Sequence, residues 1–100
     1  MEEDIALPLS NDYVVYSKSG CPNCMKAKQL LKNEQNITIV NCDEYLLEDK
    51  ECFLEFIFIY AKKEWKTFPM IFHKGEFIGG YVELEKYYSK QHLFNEKDDF

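Results

Sequence analysis

Cys21 and Cys24 are the residues in this chain whose type and spacing point most directly to chemistry. They stand in Cys21-Pro22-Asn23-Cys24, between an apolar run, Tyr13 to Tyr16, and a stretch where Met25, Ala27, Leu30 and Leu31 recur at helical spacing with lysines between them. The run reads as a buried strand, the turn Ser17-Lys18-Ser19-Gly20 ends it, and a helix begins at the cysteines. Pro22 falls in the first helical turn, where its missing N–H costs nothing, which puts Cys21 at or beside the N-cap. A sulfur there faces unpaired backbone N–H groups and the positive end of the helix dipole, and both favour thiolate over thiol. Lys18 adds a nearby cation. Cys21 is therefore expected to leave the free-thiol value of about 8.5 for the range of roughly 3.5 to 7.5 and to act as a nucleophile. Cys24, one turn further on, shares that face but looks into the helix base. It is placed to attack a mixed disulfide formed on Cys21.

Such a pair has to be held by a sheet, and the remaining chain has the pattern of one. After a polar break at Asn33 to Asn36, Ile37 to Val40 reads as a second strand, with Cys42 just past its end. A helix between two such strands makes a βαβ unit with parallel strands. Glu44 to Lys63 is ambiguous, because Phe53 to Ala61 has the aromatic and β-branched content of a strand. Its length favours a helix, with Phe53, Phe56, Ile57 and Tyr60 on one face and Lys62 and Lys63 at the C-terminal end. Leu54, Phe58 and Ile59 then point elsewhere, either under the tails or as an exposed patch that could bind a partner. Met70 to His73 and Glu76 to Ile78 flank Lys74-Gly75 as a hairpin. Gly79-Gly80 precedes a last helix, Val82 to Tyr88, with Glu83 and Glu85 in its opening turn. Residues 1–12 form an N-terminal extension, in which Ile5, Leu7 and Leu9 could pack on the domain. Residues 13–90 form the domain, and residues 91–100 an acidic tail.

One hundred residues, 46% of them hydrophobic, suffice for one such domain and no second module. The net charge of -6 argues against nucleic acid as a partner. The acidic start lacks the features of a signal peptide, and no stretch approaches the roughly 18 apolar residues of a membrane span, so a cytoplasmic protein is expected, with no membrane partner. Four cysteines in a reducing compartment suggest redox or metal chemistry before a structural staple. The charge is unevenly distributed. Ser17 to Asn33 holds four lysines and no acid, and Lys62 to Lys74 holds four more against Glu64. Brought together, these stretches would make one basic face beside the thiol, suited to a small anion. The chain has no arginine, so carboxylates would be held by lysine point charges and backbone N–H groups.

The order strand, helix, strand, helix, strand, strand, helix, with CxxC after the first strand and Thr67-Phe68-Pro69 opening the third, resembles a glutaredoxin of the dithiol CPxC type. The resemblance covers roughly Tyr13 to Tyr88. It implies an α/β, thioredoxin-like fold: a four-stranded mixed sheet flanked by helices. It also implies a monomeric, glutathione-dependent thiol-disulfide oxidoreductase that reduces protein disulfides and glutathione mixed disulfides through Cys21 and Cys24. Glutathione enters as co-substrate, and no metal is expected. A ribonucleotide reductase, a glutathionylated protein or a dedicated partner would all present the same chemistry. In the family the proline corresponding to Pro69 is cis. The Phe68 backbone would pair with the cysteinyl part of glutathione, Lys18 and Lys66 would meet its glycyl carboxylate, and the turn and helix start at Gly79, Gly80, Tyr81, Val82 and Glu83 would meet its γ-glutamyl end. The chain departs from the common pattern at Asn23, at Phe68 and at Tyr81-Val82.

The other reading is an iron-sulfur or metal-binding module using Cys21 with glutathione, since thiolates of low pKa are good soft ligands. Cys42 and Cys52, with nine residues between them, do not supply the second CxxC of a zinc ribbon. They read as small buried packing residues. His73, His92, Tyr16 and Trp65 read as structural.

Overall fold

A computed structural model describes residues 5–9 and 11–97, residues 92–97 by backbone alone. The elements run β1 (Tyr13–Ser17), α1 (Pro22–Leu30), β2 (Ile37–Asn41), α2 (Asp43–Ala61), β3 (Met70–His73), β4 (Glu76–Gly79) and α3 (Tyr81–Lys97). The sheet order is β2-β1-β3-β4, with β1 parallel to β2 and the other pairings antiparallel. The fold is thus the mixed four-stranded sheet with three helices expected of a thioredoxin-like domain.

β1 is buried along its whole length and carries large apolar or aromatic side chains from Tyr13 to Tyr16 because both of its faces are covered. Val14 and Tyr16 join Val40, Met70 and Phe72 under Phe53, Phe56, Ile57 and Ala61 of α2. Tyr13 and Val15 face the other way with Ile71, against Ala27 and Leu31 on the α1 side and Leu84 of α3. Tyr16 anchors the first layer: its ring meets Phe53, Phe56 and Phe72 edge-on, at centroid distances of 6.1, 6.3 and 5.8 Å. A buried phenol needs an acceptor. Tyr16 finds it in the Ala6 carbonyl, so the N-terminal extension closes the core, with Ile5 buried in the same cluster and Pro8 fully covered.

Several boundaries differ from the sequence reading. Of the three residues expected to pack, Ile5 is buried while Leu7 and Leu9 are exposed, and Pro8 is covered beside it. Met25 is exposed, whereas Cys24, Ala27 and Leu31 carry the buried side of α1 and its C-cap. α2 is kinked rather than continuous. Asp49 leaves helical geometry, at φ -161° and ψ 86°, and its carboxylate accepts from the Cys52 N–H at 3.0 Å, capping the second segment. Cys42 is buried, as expected, while Cys52 is half-exposed. α3 continues through Lys97, past the point where an acidic tail was expected to begin. The acidic residues at 1–4 and 98–100 lie outside the described residues, as does the side chain of His92. No described helix is long and apolar enough to cross a membrane.

At the end of the sheet opposite the cysteines, His73 stacks flat on Tyr13 at 3.8 Å and its Nδ1 lies 2.6 Å from the Tyr87 hydroxyl. Burial, then the neighbouring Lys74, hold His73 below the usual histidine range. A histidine depressed in this way favours the folded state above its ordinary pKa of about 6.5, and that contribution is lost as pH falls through the folded value. The melting temperature should therefore drop between pH 7.5 and 5, and the drop should be smaller in His73→Phe, which keeps a ring against Tyr13. Parallel pH profiles for the two proteins would assign the acid sensitivity elsewhere.

Candidate active site

Strand register decides which loops meet. Tyr16 stands opposite Met70 in the antiparallel β1/β3 pair, Ser17 beside Asn41 in the parallel β1/β2 pair, and Gly79 opposite Ile71 in the β3/β4 pair. The residues that follow Ser17, Asn41 and Gly79, and those that precede Met70, therefore all emerge at one end of the sheet. That end holds Cys21, Asp43, Gly80 and the Phe68-Pro69 turn.

Cys21 is the N-cap of α1, with extended backbone at φ -116° and ψ 102°, and Pro22 opens the helix. Its Sγ accepts from the Cys24 N–H at 3.1 Å, and no acidic residue stands in the first turn. These are the sequence-predicted conditions for an anionic sulfur. The two cysteines are joined as a disulfide, Cα atoms 5.2 Å apart. Cys21 keeps 7% of its surface exposed and Cys24 1%, so Cys21 is the sulfur that an incoming group can reach. Gly20, at φ 67°, turns the chain into the helix in a conformation that favours glycine.

Across from the disulfide, Phe68-Pro69 is a cis peptide, and the Phe68 carbonyl oxygen lies 3.7 Å from Cys21 Sγ. The Phe68 ring stacks on Phe53 at 5.9 Å, and the Lys18 ammonium sits 5.5 Å from its centroid. The phenylalanine thus extends the core outward and gives Lys18 an aromatic face to rest on. A groove of about 490 Å³ results, lined by Lys18, Gly20, Cys21, Pro22, Asn23, Lys66, Thr67 and Phe68. The two basic stretches do converge here, although Lys66 also pairs with Glu64 at 3.7 Å, both side chains exposed.

Pro69, Gly79, Gly80, Tyr81, Val82 and Glu83 lie beside this groove rather than in its lining. A Cβ on Gly80 would stand 3.5 Å from the Pro69 carbonyl, ordinary van der Waals contact, so Gly80 lies directly beside the cis proline. Tyr81 brings its ring to 5.9 Å from the Lys26 ammonium of α1, and Val82 is exposed. Glu83 folds back: its carboxylate accepts from the Gly80 N–H at 3.0 Å, half of a capping box. A Cβ on Gly79, at φ 128°, would meet the Glu83 side chain at 2.8 Å. Glu83 therefore shapes the start of α3 and lines a second cavity, beside His73 and Tyr87.

Asp43 is a residue of the site that the sequence reading missed. Its carboxylate accepts from the Ser19 N–H at 2.9 Å and from the Ser19 hydroxyl, and these bonds hold it below the usual carboxylate range. With the Cys42 N–H donating to the Ser17 carbonyl at 2.8 Å, this fixes both ends of the loop that carries Lys18. Nothing local marks it, since the partners are 24 residues apart. The Cys42 thiol, pushed up to about 12 mainly by burial, stays protonated beside the site and is no second nucleophile.

Among the described residues, no group of three or more His, Cys, Asp and Glu side chains is arranged to hold a metal ion. Residues 13–78 match the family model described as glutaredoxin. The glutaredoxin-1 of Rhizophagus irregularis is 39% identical over 75 residues, which span 75% of this chain and 71% of that protein. Among solved structures, the dithiolic glutaredoxin 2-C-Grx1 of Trypanosoma brucei brucei superimposes with a TM-score of 0.68 at 32% identity, covering 88% of each chain. Glutaredoxin 1 of Francisella tularensis gives 0.69 at 27% identity, covering 82% of this chain and 96% of that one.

Removing the loop anchor should be visible without any assay of activity. Asp43→Ala is expected to speed amide hydrogen exchange at Ser19 and its neighbours while exchange in β1 stays slow. Unchanged exchange at Ser19 would mean that the carboxylate does not hold the loop.

Proposed function

The chain belongs to the glutaredoxin family, and on that premise we propose that it is a glutathione-dependent reductase of protein disulfides and glutathione mixed disulfides. The family's chemistry is thiol-disulfide exchange, and the Cys21-Cys24 pair at the head of α1 is equipped for it. The observation that carries the reading is the position of Cys21 Sγ, capped by its own helix and opposite the Phe68 carbonyl in a groove with two lysines.

In the reduced protein, the Cys21 thiolate attacks one sulfur of a substrate disulfide, and the other sulfur leaves as a thiolate. With a protein disulfide, Cys24 then attacks the Cys21 sulfur, releasing the reduced substrate and forming the Cys21-Cys24 disulfide. One glutathione thiolate opens that bond at Cys21, and a second attacks the glutathione sulfur, returning Cys21 as thiolate and leaving oxidised glutathione. Two electrons pass from two glutathione molecules to one disulfide. With a glutathione mixed disulfide, Cys21 takes the glutathione directly and Cys24 is not needed.

Glutathione binding is supported by charge and by the start of a helix. Lys18 and Lys66 offer two cations to a carboxylate, and the first N–H groups of α3, left without helical partners by geometry, face the γ-glutamyl end in this reading. Because Glu83 is engaged with Gly80, its part in this reading is to shape that helix start.

Cys21→Ser should abolish all turnover, and substantial residual activity would sink the assignment. Cys24→Ser should keep reduction of glutathione mixed disulfides and lose reduction of protein disulfides that need a resolving thiol. Loss of both activities would place the Cys21-Cys24 disulfide in every cycle. Lys18→Gln and Lys66→Gln should each weaken glutathione use at most about fivefold, since an exposed ion pair is worth about 0 to 1 kcal/mol. Molar salt should shrink both effects. Lys18→Gln should also raise the pH at which Cys21 alkylates, while Lys66→Gln should not. Equal alkylation profiles for wild type and Lys18→Gln would leave the thiolate to the helix alone.

A further inference from the structure

A second groove adjoins the first. It has a volume of about 300 Å³ and lies between α2 and the segment after it, lined by Glu51, Leu54, Glu55, Phe58, Glu64, Trp65 and Lys66. Its floor is apolar: Leu54 and Trp65 are half-buried, and Phe58 keeps 54% of its surface exposed. Its rim is acidic, with three carboxylates against one ammonium, Lys66, which Glu64 already pairs at 3.7 Å. Lys66 lines both grooves, so the acidic, apolar one borders the basic one that holds Cys21. Glutathione held at Cys21 by Lys18 and Lys66 has no need of the second groove. A polypeptide does, because the chain on one side of its disulfide has to lie somewhere when its sulfur is at Cys21.

We propose that this second groove docks the polypeptide flanking the target disulfide, and that it selects an aromatic or large aliphatic side chain bracketed by lysine or arginine. The proposal rests on the oxidoreductase reading above and adds a substrate class to it. The side chain seats on Leu54, Phe58 and Trp65, and the basic residues meet Glu51 and Glu55 at the rim. Aromatic and apolar anchors supply most of the energy at such surfaces, while charges at the rim act on encounter and on the choice of partner. The two grooves therefore divide the work: one serves every substrate and the other only proteins of this charge pattern.

The test compares three substrates in one assay: the mixed disulfide of glutathione with cysteine, a peptide disulfide bearing Lys-Phe-Lys a few residues to either side of its cysteines, and the same peptide with Glu-Phe-Glu. Wild type should prefer the lysine peptide, and added salt should reduce the preference. Phe58→Ser and Glu55→Lys alter exposed side chains, and circular dichroism checks that each variant is folded. Each should lower kcat/KM for the lysine peptide about tenfold and leave the small mixed disulfide unchanged. Glu55→Lys should in addition improve the glutamate peptide. Equal use of the two peptides by wild type, or variants that treat the lysine peptide as wild type does, would overturn the docking proposal while small-substrate activity stands. A wild type inactive on the small mixed disulfide would overturn the oxidoreductase reading and this proposal with it.

Discussion

The pairing of β1 with strands on both of its sides is the constraint on which the active end of the molecule depends. Antiparallel pairing with β3 sets Tyr16 against Met70, so the chain leaving β1 and the chain entering β3 have to meet. Parallel pairing with β2 sets Ser17 beside Asn41 and brings Asp43 to the same end. A slip of one residue in either register would turn each buried side chain of β1 to the wrong face. With Tyr16 filling one layer and Val15 the other, the hydrophobic core fixes the register, and the register places the sulfur. Chemistry and packing are therefore not separable along β1.

Phe68 joins those two demands in one side chain. One side of its ring continues the α2 core through Phe53, and Lys18 stands over the ring at the groove, while the residue's own carbonyl faces Cys21. A smaller residue there would leave Lys18 without its aromatic rest and Phe53 less covered. The absence of arginine sharpens the point. A lysine ammonium is a mobile point charge, and here packing against a ring restricts it where a planar guanidinium would orient itself through its own hydrogen bonds.

Much of this arrangement was legible in the chain because its signals are local. A strand followed by Gly20, Cys21 and Pro22 states the helix start within a few residues, and Lys74-Gly75 does the same for the hairpin. The errors fell where the deciding contact is distant or where two local preferences compete. Ser19 and Asp43 each look like ordinary loop and helix-start residues until β2 is laid beside β1. Asp49 sits within a good helical pattern, yet its side chain prefers to cap Cys52, and the kink follows. Glu83 looks like an ordinary acid in a helix's first turn, and only the structure shows that, at the third position of a helix opened by glycines, it reaches back to the Gly80 backbone. Met25 satisfies the helical period but lies on the rim of its stripe, and periodicity alone does not say how wide that stripe is.

The tether between Tyr16 and Ala6 bears on what counts as the domain. Likeness to the family model begins at residue 13 and stops at residue 78. Yet Ile5 and Pro8 on one side of that span, and Leu84 on the other, are as thoroughly enclosed as any residue within it. The span matched by the family model and the span that builds the buried core are thus of different lengths here. The matched segment holds both cysteines, and residues on either side of it supply part of the wall that keeps water from its centre.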